Sequence, residues 1–426
     1  MVLHIKCALN GRVRGYADAF SCRDWLDRFD INPLISGQTS RAMSSLSLFN
    51  IGQIKEAKVA FGDLTILVGD QATGKSLFLQ MHKLTQDVGC IKDRLALYGY
   101  SYDDFKAFLS LYLGEGMENV WGGDSELLIG DKPYDLVGKW KSSRASAMKN
   151  FYIPAQRVMM MEYGFAKPFT SFDISYPYVL KDFSELIRFD LDKLYAKKGN
   201  IFPQPNKLRA ELRDVVSRHI YRGGAIKIKL LGSKKQLVME IDKHDYAVGS
   251  WSAGQKEFAP LLFGLYWALP GAKISRRDKV SSITIEEPEM GLHPNAVVDT
   301  MLLVLELLSR GYKVNLSTHS NTVLELFWAI GEIKKQQKKV DAESRFLDLF
   351  GLGKNAGLRD FAKTILTKRI RIYYFESDGD NKTTVRDISR LEVEGPDEEG
   401  REWGGINRFS SRVSSVVSSM YGEIHA

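Results

Sequence analysis

Leu64-Thr-Ile-Leu-Val-Gly69-Asp70-Gln71-Ala72-Thr73-Gly74-Lys75-Ser76-Leu-Phe-Leu-Gln80 is the stretch from which the fold is read. An apolar strand, residues 64–68, runs into Gly69-x-x-x-x-Gly74-Lys75-Ser76, and Leu77, Phe78 and Leu79 open a helix. This is a P-loop in the context it needs, a glycine turn between a strand and a helix. Gly69 and Gly74 let the backbone curl, so that the N–H groups from Asp70 through Thr73 point inward at phosphate oxygens. The new helix adds the positive end of its dipole. Lys75 is spaced to reach the β- and γ-phosphates, and the Ser76 hydroxyl to ligate Mg²⁺. The alternative is a glycine turn of structural use only. At average residue usage the bare pattern arises in roughly 2% of chains of this length, so the flanking strand and helix favour a nucleotide site.

The totals set the frame. A chain of 426 residues can bury a large core, as one big domain with insertions or as two domains. Apolar content of 44% and charged content of 26% are ordinary for a soluble globular protein. No apolar run approaches the ~18 residues of a membrane span, and no signal-peptide pattern opens the chain. Three cysteines, Cys7, Cys22 and Cys90, without metal-ligand spacing suit a reducing cytoplasm. The net charge of +7 permits nucleic-acid contact without demanding it. Between 331 and 371 eleven Lys/Arg stand against five Asp/Glu, densest at Lys334, Lys335, Lys338 and Lys339. The choice there is between a solvated helix end and a surface for DNA phosphates or an acidic protein.

Residues 1–44 show no sustained period and hold two of the three cysteines. They read either as an accessory arm or as an upstream translation artefact, with Met43 as the start. Two strands, at 45–51 and 54–61, feed the P-loop strand. Beyond the P-loop helix, residues 91–150 read as mainly helical, with a turn-rich part at 114–133. A short strand follows at 150–153, stopped by Pro154. Helices are expected at 180–197 and 206–221, then a hairpin of strands 225–231 and 236–241 around Gly232-Ser-Lys-Lys235. No persistent heptads and no internal repeat are visible.

Three further motifs follow the P-loop in order. Ser250-Trp-Ser252-Ala253-Gly254-Gln255 leads into an apolar helix, so that a hydroxyl and free N–H groups stand at the positive end of the dipole. Alone, it is also an ordinary N-cap sequence. Ser282-Ile-Thr-Ile-Glu286-Glu287-Pro288 is a buried-looking strand ending in two carboxylates. Placed beside the P-loop strand, it would set Glu286 at the Mg²⁺ shell and Glu287 facing the γ-phosphate, polarising the attacking water. Tyr312-Lys-Val-Asn-Leu-Ser-Thr-His319-Ser320 is a strand ending in a histidine, read as the group that contacts the γ-phosphate.

This ordered set resembles the ATP-binding-cassette (ABC) ATPases, specifically the soluble RecF/SMC/overcoming-lysogenization-defect class. Gly69–Ser76 is similar to Walker A, residues 251–255 to the signature, residues 283–287 to Walker B, and His319 to the switch histidine. The run 286–294 and Tyr152-Ile-Pro-Ala-Gln156-Arg157 are similar to stand-alone ATPases encoded beside effector nucleases in anti-phage systems of the PARIS or Septu kind. The resemblance spans about residues 45–325. It departs from the family pattern at Glu286, where many relatives have Asp, and at Ala253, where they have Gly. Gln156 is the candidate for the family's Q-loop. The resemblance implies an α/β P-loop NTPase with a mixed central sheet, a helical insertion over about 91–224 and a C-terminal extension over about 331–426. ATP and Mg²⁺ are the implied ligands. Two ATPs would be sandwiched in a head-to-tail homodimer or higher homo-oligomer, with Ser252, Ala253, Gly254 and Gln255 acting on ATP bound to the other copy. The implied role is a sensor or scaffold controlling a separate effector, a nuclease or toxin. The alternative is a repair ATPase whose closed dimer clamps duplex DNA. A transporter's ATPase subunit is disfavoured by the missing transporter-type signature.

The tail, Ile370-Arg-Ile-Tyr-Tyr-Phe-Glu376-Ser-Asp378-Gly-Asp380, superficially resembles the start of a Toprim nuclease. Too little chain follows for that fold. The plainer reading is a hairpin with an Asp-Gly turn, then an acidic loop at 392–401 and a closing helix at 408–420.

Overall fold

Strands that are apolar along their whole length need cover on both faces, and helices must supply it. The computed structural model describes residues 45–390 apart from 163, 197–199, 272–275 and 354, together with residue 413. The two readings of residues 1–42, the acidic loop at 392–401 and the closing helix at 408–420 fall outside the described residues.

Strands β1 (Ser45–Ile51), β2 (Ile54–Ala60) and β3 (Leu64–Gly69) open the domain, and the helix Lys75–Leu97 follows the P-loop. After the helix Phe105–Leu113 come β4 (Trp121–Ile129) and β5 (Lys132–Pro133), then the short helix Leu136–Ser142 and β6 (Asn150–Ile153). The ribbon of β7 (Met161–Glu162) and β8 (Phe165–Ala166) precedes the helix Tyr178–Ala196. A separate antiparallel sheet is made by β9 (Ala225–Leu231), β10 (Lys234–Ile241) and β11 (His244–Ala247). The helix Ala253–Ala268 leads to β12 (Ser282–Glu286), and the helix Pro294–Ser309 to β13 (Lys313–Thr318). Helices Asn321–Gln336, Ala342–Asp348 and Arg359–Leu366 precede β14 (Ile370–Ser377) and β15 (Thr383–Asp387).

The main sheet has ten strands in the order β5-β4-β1-β2-β15-β14-β3-β13-β12-β6. From β14 to β6 all neighbours are parallel, while the β1, β2, β4 and β5 end is antiparallel. Every residue of β3, β6 and β12 is buried, as two-sided cover requires. The P-loop helix supplies part of that cover with Leu77, Phe78, Met81, Leu84 and Ile91, and Phe78 meets Phe375 of β14 edge-on. Each such side chain, fully buried, contributes about 1.5–3 kcal/mol.

The architecture corrects several expectations. The strand that ends in Glu286 is not beside the P-loop strand, because β13 lies between them. All three strands are buried along almost their whole length, so their burial pattern leaves their lateral order open. The segment 114–133 is not simply turns: β4 pairs with β1, and residues 91–150 are correspondingly less helical than expected. Only Leu127 of β4 is buried and the strand opens with Trp121-Gly-Gly, so it carries little apolar alternation. The helix expected over 206–221 starts at Ala210 and closes in a π turn, Ser217–Tyr221. Lys234 and Lys235 lie in β10 rather than in the hairpin turn, and β11 follows through Asp242 and Lys243, both at positive φ. The tail hairpin forms as expected, with β14 and β15 antiparallel, but it lies inside the main sheet between β2 and β3.

A buried polar cluster fixes the P-loop helix against the sheet. Lys83 pairs with Asp87 at 3.0 Å, with both side chains almost wholly buried, and also donates to the Asn150 carbonyl at 2.7 Å. Asp87 accepts the N–H groups of Lys149 (2.8 Å) and Asn150 (3.1 Å), and Thr284 of β12 donates to the Asn150 side chain. Removing one member of such a buried pair strands the other charge at a cost of about 3–5 kcal/mol. Asp87→Ala should therefore lower unfolding free energy by about that amount in a denaturant titration. A loss below about 1 kcal/mol would show that the cluster does not fix the helix.

Candidate active site

The parallel register brings the strand ends level. Leu67 of β3 pairs with Ser317 of β13, and Ser317 with Glu286 of β12, while Ile285 pairs with Ile153 of β6. The P-loop, Gln156, Glu287 and His319 therefore leave the sheet at one edge, the carboxyl ends of the strands, where open α/β sheets bind ligands.

The P-loop has the expected backbone. Gly69 has φ 142°, and a Cβ there would come within 2.3 Å of the Phe375 carbonyl on β14. Ala72 and Gly74 also have positive φ, the local geometry of an anion-binding nest. Asp70, Gln71, Ala72 and Ser76 are exposed, while Thr73, Gly74 and Lys75 are buried. The Lys75 ammonium donates to the carbonyls of Gly69 (2.9 Å) and Asp70 (2.6 Å) and to the Thr73 hydroxyl (3.2 Å), which hold it within the loop. Burial pushes its pKa down to about 8, against the opposing pull of Glu287, Asp70 and Glu289.

Glu286 is buried, and burial raises its pKa. One carboxylate oxygen accepts the Ala155 N–H at 3.2 Å, and the Ser76 and Tyr152 hydroxyls lie against the group. The other oxygen, Oε1, is buried without a hydrogen-bond partner. An orphaned carboxylate oxygen beside the P-loop serine fits a hard divalent cation, so Ser76 and Glu286 are the residues that would hold Mg²⁺.

Glu287 has φ 43°, an uncommon value for any residue other than glycine. Its N–H donates to the Ser317 carbonyl at 3.0 Å, and its own carbonyl accepts from Arg157 at 3.1 Å. Its carboxylate lies 3.4 Å from His319 Nε2, and that hydrogen bond holds its pKa below the usual carboxylate value. His319 is positioned by Glu289: one Glu289 oxygen accepts both the His319 N–H and the Thr318 hydroxyl, each at 2.7 Å.

At the signature, Ser252 caps the helix Ala253–Ala268 with a capping box. Its hydroxyl accepts the Gln255 N–H, and the Gln255 side chain accepts the Ser252 N–H. Ser252 and Ala253 are exposed. A Cβ on Gly254 would lie 2.7 Å from the Gly291 carbonyl, so glycine is needed for the helix to approach the turn after β12. Gln255 spends its amide on that cap and on the Ile220 carbonyl at 3.0 Å, which makes it a brace for the helix start. Gln156 is exposed at the head of the short helical turn Arg157–Met160.

Two residues of this site carry no signal in the sequence for the roles they have. Arg157 closes the run Tyr152–Arg157 next to Gln156, and its spacing alone gives it no role. Glu289 is the third carboxylate of Glu286-Glu287-Pro-Glu289, and nothing in its spacing distinguishes a carboxylate that holds a loop from one that faces solvent.

Residues 227–325, from β9 to just past His319, match the family described as "AAA domain, putative AbiEii toxin, Type IV TA system". No curated protein matches the chain. Among solved structures the chain is similar to an SMC head bound to the C-winged helix domain of ScpA, at 9% identity over 81% of this chain and 97% of that one, with a TM-score of 0.40. It is also similar to the SMC head domain from Thermotoga maritima, at 8% identity over 81% and 98%, with a TM-score of 0.34. A third similarity is to a dimeric ATP-binding cassette in a post-hydrolysis state with ADP and Pi, at 12% identity over 65% and 89%, with a TM-score of 0.29. On its own strand order and loop geometry, the chain has a mixed α/β fold in which a strand–P-loop–helix unit opens at the carboxyl ends of parallel strands.

The Lys75 environment carries a pH prediction. A bound triphosphate favours the ammonium, so its affinity should be greatest below the free protein's value of about 8 and fall as pH rises through it. The limiting slope is about tenfold per pH unit. A fluorescent ATP analogue titrated from pH 7 to 9.5 measures this; an affinity flat across that range contradicts the assigned Lys75 contact.

Proposed function

We propose that the chain binds and hydrolyses ATP, closing head-to-tail with a second copy around two ATPs. The observation that carries this reading is the convergence of Lys75, Ser76, Glu286, Glu287 and His319 at one sheet edge, with Glu287 fixed through both its N–H and its C=O. Lys75 and the loop N–H groups grip the β- and γ-phosphates. Glu287, kept ionised, orients a water in line with the γ-phosphorus and takes its proton as the P–O bond to ADP breaks. His319 steadies the Glu287 carboxylate and faces the γ-phosphate. Mg²⁺, held by Ser76 and Glu286, would neutralise charge on the β- and γ-oxygens. The exposed start of the signature helix offers a hydroxyl and N–H groups to a phosphate of the facing copy. Gripping the γ-phosphate from both sides is what makes ATP favour the closed pair over ADP.

In this reading the ATPase serves as the sensor or scaffold of a defence pair and controls a separate nuclease or toxin. The family description for residues 227–325, which names a toxin and a toxin–antitoxin system, supports a paired role. The second reading, a repair-type ATPase that clamps duplex DNA, draws on the exposed Lys335, Lys338 and Lys339 at the end of the helix Asn321–Gln336.

Glu287→Gln should keep ATP affinity while turnover falls by about 10²–10⁴-fold, the usual contribution of a positioned base. Unchanged steady-state turnover would mean that another residue is the base. ATP hydrolysis measured with duplex DNA at two salt concentrations separates the two readings. Stimulation that fades with salt favours phosphate contacts and the repair reading. Indifference to DNA favours a protein trigger.

A further inference from the structure

Arg157 is fully buried, and among the described residues its guanidinium hydrogen-bonds to main-chain carbonyls alone. Nε donates to Glu257 on the signature helix at 3.1 Å. One terminal nitrogen donates to Pro154 (3.3 Å) and Glu286 (3.0 Å), and the other to Glu287 (3.1 Å). Burying a guanidinium is costly, and carbonyl acceptors could be spared by an apolar side chain and a different loop path. The planar fork does what an apolar group cannot: it fixes the distances among these segments.

A second contact runs alongside. The signature helix touches the turn after β12 where Gly254 and Glu257 meet Gly291, and Glu289 in that turn holds His319. Both routes leave the signature helix and end at Glu287 and His319. Glu287 sits at positive φ, a conformation that persists only when its surroundings over-determine it, and Arg157 holds its carbonyl together with the Met290 N–H, while the Ser317 carbonyl holds its N–H.

We infer that Arg157 is a positioning residue that couples the signature helix of one copy to the hydrolytic Glu287 of the same copy. The inference rests on the closed dimer proposed above. In that dimer the signature helix reads the ATP bound to the partner, while Glu287 serves the ATP bound in cis. Arg157 thus links the two sites: engagement of one signature helix sets the geometry of its own copy's glutamate. Two ATPs are then hydrolysed with positive cooperativity, because each occupied site readies the other.

The test uses the full chain. Arg157→Lys keeps a buried cation but cannot span the four carbonyls. ATP affinity should stay within about threefold of wild type, kcat should fall at least about tenfold, and the Hill coefficient should move toward 1. A folded Arg157→Lys protein with wild-type kcat and cooperativity overturns the coupling. A second measurement leaves the buried residue intact. Differently tagged chains are mixed and purified as dimers in which one chain carries Ser252→Arg, a change at an exposed position. One site of such a dimer is blocked, and the other has every contact but belongs to the chain whose signature helix is idle. Coupling predicts about a tenth of wild-type turnover or less, whereas about half shows independent sites and overturns the inference. A wild-type chain that forms no ATP-dependent dimer, or hydrolyses no ATP, overturns the proposed function itself and is seen before either variant is made.

Discussion

The parallel register that sets Leu67, Ser317 and Glu286 side by side is the constraint on which the site depends. Side chains alternate along a strand, so a slip of one residue in β12 would turn Glu286 to the other face of the sheet and carry Glu287 out of reach of His319. At the strand ends the register is held by the Glu287 N–H on the Ser317 carbonyl and by Arg157 on the carbonyls of Pro154, Glu286 and Glu287, but these bonds follow from a register set within the sheet. It comes from two-sided burial of β3, β12 and β6, and from the cluster in which Asn150 holds Thr284, Lys83 and Asp87 together. The P-loop helix is tied to the same cluster. The structure thus uses a buried ion pair, a costly element in a core, to index helix against sheet.

The site itself is where local rules are broken. Glu287 has an unfavourable φ, and Glu286 and Glu289 are buried carboxylates, each with an unpartnered oxygen; the Ser317 hydroxyl is also buried without a partner. Costs of this kind, concentrated where four strand ends meet, are usual for sites preorganised for charged ligands. The surrounding sheet is regular and can carry them.

What could be read from sequence was what local chemistry dictates. The P-loop, the Ser252 cap, the strand ending at Glu286, the strand ending before His319 and the tail hairpin each have a signature within a few residues. What could not be read was lateral or long-range. The place of β13 between β3 and β12 cannot be told from three short strands that are all buried on both faces. β4 was hidden by its glycines and its exposure. Arg157 acts on carbonyls more than a hundred residues away, which no local pattern marks. By position Gln255 belongs with the phosphate-facing residues, yet its amide is engaged by the helix start and Ile220.

The central claim is that the γ-phosphate decides whether two copies close. Light scattering of the purified chain with Mg²⁺ and either a slowly hydrolysed ATP analogue or ADP tests it most directly. The account predicts a mass at least about twice that of one chain with the triphosphate and a return toward the single chain with ADP, since only the triphosphate can be gripped from both sides. The same mass with both nucleotides, measured while each is bound, would contradict it.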